Sequence, residues 1–142
     1  GVNGWQSKPG ARDGCFQRVR YTGKPVHMPC GLKVRKNGVE IAFTSPLELE
    51  SAAEKENYGV EQWNYLWAEK YGSDDLSPTT GKKGRDTVAI QSVKPSTDGK
   101  SVFLEIPGLK PVMQMAITLK VKAADGSRLS HVIYNTIHRL PE

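Results

Sequence analysis

Short alternating segments punctuated by turn residues predict an all-β sandwich of about seven strands with at most one short helix. Three observations carry this expectation. Met113, Met115, Ile117, Leu119 and Val121 recur at every second position, the period of a strand with one buried face. Residues 32–35 and 39–43 flank Lys36-Asn37-Gly38, and Asn-Gly favours the tight turn of a hairpin. The chain of 142 residues holds 14 glycines and 9 prolines, which fall between its apolar runs as turn signals should.

The elements follow in order. Residues 1–14, rich in Gly and basic side chains around a lone Trp5, read as a linker or extended segment ahead of one domain spanning 15–142. Residues 15–21 alternate apolar and polar, which predicts a half-buried strand broken by Thr22-Gly23-Lys24-Pro25. The hairpin comes next, with Val39, Ile41 and Phe43 sharing the core face. Ser45-Pro46 ends it, and 47–57, carrying Glu48, Glu50, Glu54 and Glu56, is the one helical candidate. The aromatic stretch 58–71 reads as a long strand, and 72–85 as a polar loop. Strands over 87–93, 101–106, 112–121 and 131–138 complete the set, with Asp98-Gly99, Pro107-Gly108 and Asp125-Gly126 as turns.

Composition excludes several classes. No apolar run approaches the roughly 20 residues of a membrane helix. A net charge of +5 invites a nucleic-acid reading. Yet Arg12, Arg18, Arg20, Lys24, Lys33, Arg35 and Lys36 are spread over three elements, and only Lys82-Lys83-Gly84-Arg85 is tight. A solvated basic surface fits better, so no nucleic-acid partner is expected.

Candidate chemistry is sparse. Trp63, Tyr65 and Trp67 would share one face of a strand, where three flat rings can stack on sugars beside the amide of Asn64. The competing reading makes them core or interdomain packing, and solvent exposure separates the two. His27, His131, His138, Met28, Met113, Met115 and Cys30 suggest copper by residue type, but Cys30 lies far from the late Met and His positions. No metal is expected, and no cofactor, since CxxCH is absent and Asp74, Asp75 and Asp86 lack calcium-loop spacing. GxSxG and HExxH are absent too, and no Ser, His and Asp fall in a familiar order, so no catalytic residue is assigned. Cys15 and Cys30 suit a disulfide in an oxidising compartment, worth about 3 kcal/mol in the chain-entropy account, or two reduced buried thiols.

Several phrases together carry a resemblance: 17–25 (QRVRYTGKP), 38–47 (GVEIAFTSPL), Asn57-Tyr58 with Trp63-Asn64-Tyr65, and 102–111 (VFLEIPGLKP). They resemble the C-terminal immunoglobulin-like module of large secreted bacterial proteins with sorbosone-dehydrogenase-like and haem-binding domains. The resemblance covers most of the chain from Cys15 onward and implies an immunoglobulin-like antiparallel sandwich. It further implies a periplasmic or secreted parent, a noncatalytic accessory role and neighbouring domains as partners, with carbohydrate as the alternative ligand. It brings no catalytic residue with it.

Overall fold

Alternation in the sequence becomes two stacked sheets in the computed structural model, which describes Gly10 and residues 16–142. Eight strands form them: β1 (Pro29–Arg35), β2 (Gly38–Phe43), β3 (Tyr58–Trp63), β4 (Asp86–Thr87), β5 (Ser92–Pro95), β6 (Ser101–Glu105), β7 (Val112–Lys122) and β8 (Arg128–Ile137). One sheet runs β1-β2-β6-β5 and the other β4-β3-β7-β8, with every pairing antiparallel. With the two-residue β4 set aside, this is the strand order of an immunoglobulin constant-type sandwich.

The core is built from the inward positions of both sheets. Val39, Ile41 and Phe43 of β2 and Val102 and Leu104 of β6 meet Tyr58 and Val60 of β3 and Met115, Ile117, Leu119 and Val121 of β7. Register explains why these sets coincide. Ile41 lies opposite Val102, and Val60 opposite Ile117, so each pair shares a face. Tyr58 is the one polar tip among them. Its hydroxyl donates to the Ala52 carbonyl at 2.9 Å, and burial pushes its pKa up.

Gly38 belongs to the hairpin for a reason other than the one its sequence suggests. The turn residues are Lys36 and Asn37, and Gly38 already pairs with Arg35 and Glu105. A Cβ there would stand 2.1 Å from the Leu104 carbonyl oxygen and 2.7 Å from the Phe103 ring. Close backbone approach, not positive φ, demands the glycine. Gly99, in the turn before β6, combines both demands, with φ +67 and a Cβ that would stand 2.9 Å from the Leu47 carbonyl oxygen.

Four elements depart from expectation. Residues 16–21 form no strand and are exposed, and the first strand begins at Pro29. The helix α1 is only Leu49–Ala53, followed by a 3-10 turn at Lys55–Asn57. The expected strand over 58–71 stops at Trp63. The expected strand over 87–93 divides: β4 pairs with β3, then the chain crosses to the other sheet, where β5 pairs with β6. Val88 N–H bonds the Val60 carbonyl and Gln91 N–H the Glu105 carbonyl, so each sheet holds one bank of the crossing. Met113 also leaves its expected inward row. A register shift between Val112 and Met115 turns it outward, while Met115 is fully buried.

The sandwich has two poles. At one, α1 packs beside β5 and the end of β7, and just ahead of it Leu47 bridges Ala123 and Glu48 N–H bonds the Lys122 carbonyl. At the other lie the hairpin tip, the long loop after Trp63 and the end of β8. No helix among the described residues is long and apolar enough to cross a membrane.

Candidate functional site

The aromatic residues singled out from sequence lie at the second pole, and the structure separates them. Tyr58, Val60 and Gln62 point inward from β3, so period two sends Trp63 to the outer face, opposite Gln114 of β7. There Trp63 is only 6% exposed. The Arg85 guanidinium lies 3.8 Å above its ring, and Tyr134 of β8 meets it edge-on, centroids 6.4 Å apart at 83°. Arg85 is held in place by Asp75 at 2.7 Å and Glu61 at 3.5 Å. These carboxylates keep the guanidinium charged and raise its pKa, the Asp75 hydrogen bond foremost. Trp63 is thus the floor of a stacked cluster.

Beyond Trp63 the chain leaves the sheet. Asn64 makes a two-way backbone bridge with Leu76, 2.8 Å each way, and its Oδ1 accepts from Met113 N–H at 3.0 Å. Its side chain is committed to the fold. Tyr65 is 38% exposed and Trp67 89%, and Tyr71 is fully exposed. Leu66 N–H donates to Ser73 Oγ at 2.8 Å, which ties the aromatic tip to its own loop. Trp63, Tyr65 and Trp67 therefore share no strand face, because the strand ends at the first of them. A concavity of about 480 Å³ lies beside Tyr65, lined also by Asn64, Pro111, Met113, Thr136 and His138.

The loop carrying Asp74, Asp75 and Asp86 is a network of internal pairs. Asp74 meets Lys83 at 2.8 Å, Asp75 meets Arg85, and Asp86 accepts from Thr79 Oγ1 at 2.6 Å. Hydrogen bonds from Ser77 and Thr79 hold the Asp86 carboxyl below its ordinary pKa. The residues that suggest copper are likewise dispersed. Met28, Cys30 and His131 line one cleft between β1 and β8, while Met115 is core and Met113 and His138 sit at the far pole. No three His, Cys, Asp or Glu among the described residues gather to hold a metal. Cys30 is exposed, unlike the buried thiol of the sequence reading, and Cys15, its suggested disulfide partner, lies outside the described residues, as do Trp5 and nearly all of the 1–14 linker.

One constellation has no sequence signature. His27 Nδ1 lies 2.6 Å from Ser45 Oγ, and His27 Nε2 lies 2.9 Å from Asp125 Oδ2. The residues are Ser, His and Asp, brought together from the lead into β1, the turn after β2 and the β7–β8 turn. Acyl transfer would also need backbone N–H groups aimed at the developing oxyanion. The residue after Ser45 is Pro46, which has no N–H, and the Asp125 side chain is 51% exposed. The trio acts as a clasp. It pins the chain ahead of β1 to two turns, aided by Thr44 N–H on the Met28 carbonyl at 3.0 Å and Thr44 Oγ1 on the Val26 carbonyl.

At the first pole a concavity of about 570 Å³ is lined by Glu48, Glu50 and Glu54 against Lys120, Lys122 and Arg128. Mixed charge, including the Lys122–Glu48 pair at 3.4 Å, leaves it without a dominant sign. Compared with family models, curated proteins and solved structures, the chain finds no match.

Proposed function

We propose that this chain is a noncatalytic accessory module of an exported bacterial multidomain protein, docking on a neighbouring domain through its aromatic pole. The observation that supports this is the tip formed by Leu66, Trp67 and Tyr71. All three are large, apolar and open to solvent, on a loop whose backbone is pinned at Asn64–Leu76 and Leu66–Ser73. Several large apolar side chains left open to solvent on one pinned loop are the usual mark of a contact surface. Periplasmic or secreted placement is what the sequence resemblance implies, as is a redox character of the parent. Joining the chain to the domain encoded next to it is the test. Trp67 emission should shift to the blue and amide exchange over 64–73 should slow. Identical emission and exchange in the joined and isolated forms would overturn the reading.

A second reading, carbohydrate binding, draws support from the open rings of Trp67 and Tyr65 beside a concavity with polar rim groups at Thr136 and His138. Trp63 and Asn64 drop out of that set, since one is covered by Arg85 and the other is bonded to Met113. Titration with a broad panel of oligosaccharides should quench or shift Trp67 emission, and Trp67→Ala should abolish the response. A flat signal across the panel removes this reading.

A further inference from the structure

The four edges of the sandwich are unequally protected. β4 is two residues long. β5 is four residues long and carries Lys94 and Pro95, both poor acceptors of a new neighbour. β1 is bulged between Pro29 and Gly31 and carries Lys33 and Arg35. β8 is different. It is ten residues long, has no Pro, Lys or Gly, and bonds only to β7 among the described residues. Val132 and Tyr134 stand on its outer face, 47% and 65% exposed. A long, unguarded edge with apolar side chains is a template for one more strand.

The same chain carries an unused strand. Residues 16–21 have the alternating composition that predicts a strand, yet pair with nothing among the described residues. Phe16, Val19 and Tyr21 are 100%, 93% and 91% exposed. In extended backbone Val19 and Tyr21 fall on one face, two residues apart, as Val132 and Tyr134 do on β8. The root of this arm is fixed by the His27 clasp, whose Asp125 lies in the turn leading into β8.

We propose that two copies of this chain exchange arms, each laying residues 16–21 along the free edge of its partner's β8. Val19 and Tyr21 then pair across the strands with Val132 and Tyr134, the aromatic and β-branched combination that antiparallel and mixed ladders favour. Area decides for reciprocity. Covering Phe16, Val19 and Tyr21 removes roughly 500 Å² per arm, given about 150–250 Å² for an aromatic side chain. Counted on both partners, one arm buries roughly 1,000 Å² in total, the bottom of the range for a specific interface, whereas two reciprocal arms bury roughly 2,000 Å², the size of a stable one. The inference does not use the tip of Leu66, Trp67 and Tyr71, and it shares with the aromatic pole only Tyr134, whose ring edge meets Trp63.

Sedimentation of the full chain over the micromolar range tests it. A monomer–dimer equilibrium is expected. Val19→Asp with Tyr21→Asp should weaken the dimer at least about tenfold, and so should Val132→Lys with Tyr134→Lys. Val19 and Tyr21 are free of tertiary contacts, so that variant should melt as a monomer of the parent does, whereas the Val132→Lys, Tyr134→Lys variant also gives up the edge contact with Trp63 and should melt somewhat lower. Mixing the two variants should restore a heterodimer, because one contact is then unaltered and the other joins Asp to Lys. A chain that stays monomeric at every concentration, including one whose β8 amides are shielded by its own arm, overturns the proposal. So does a dimer indifferent to both pairs of substitutions.

Discussion

Trp63 shows how much a single side chain's meaning depends on what lies above it. Its ring is flat and in a row of aromatics, which in sequence suits sugar stacking. What covers it is Arg85, twenty-two positions later, and no periodicity in the sequence joins the two. Arg85→Ala should uncover the ring, seen as a red shift in Trp emission with the sandwich still folded. Gly38 makes a sharper prediction. Gly38→Ala places a methyl against backbone that cannot yield, so a loss of about 1–3 kcal/mol in urea unfolding is expected, near the upper end of overpacking costs. Glu105 sets an acid response. Ser92 Oγ at 2.6 Å, then Lys94 at 3.2 Å, hold its carboxyl below the ordinary pKa. A depressed pKa in the folded state contributes stability above the unfolded value, and that contribution fades as pH falls through the folded one. Thermal stability should therefore be level above about pH 5 and decline below about pH 4, with a shallower decline in Glu105→Gln.

Elements with strict alternation were legible, and those that end or swap partners were not. β2, β6 and the inward row of β7 followed from period two, because each buries one face only. β3 was read eight residues too long. Aromatic residues favour strands, but Asn64 diverts its backbone to Leu76 and takes the chain off the sheet. The 87–93 stretch looked continuous because sequence does not record a change of sheet. Residues 16–21 carry a strand pattern with no partner to pair with, which is information about the surface and not about the core. The packing of these elements has a measurable cost. Leu104 of β6 is fully buried between neighbours from both sheets, so Leu104→Ala should lose about 2–5 kcal/mol of unfolding free energy, read as a lower urea midpoint with unchanged slope.

At the scale of the whole molecule, charge and connectivity divide the chain in the same place. The first 26 residues hold five basic side chains and one acidic, while the remaining 116 hold 15 basic and 14 acidic. The sandwich is close to neutral, and the basic excess read from composition belongs to the lead-in segment. The overall class was legible in the sequence because about seven alternating segments separated by turn residues leave few alternatives. The clasp of His27, Ser45 and Asp125 was not, since its members are 18 and 80 positions apart and meet only when the lead into β1 converges with two separate turns.

The placement of the sandwich's first and last strands has a mechanical consequence. β1 begins at the first pole, beside Thr44, and β8 finishes at the second, beside Val112. Tension applied between the ends pulls β1 along its own axis against β2. The ladder bonds stand across that direction, so they must break together and not one after another. A domain strung between neighbours in this manner would resist stretching as a shear joint, with the imidazole of His27 as the first fastener to part.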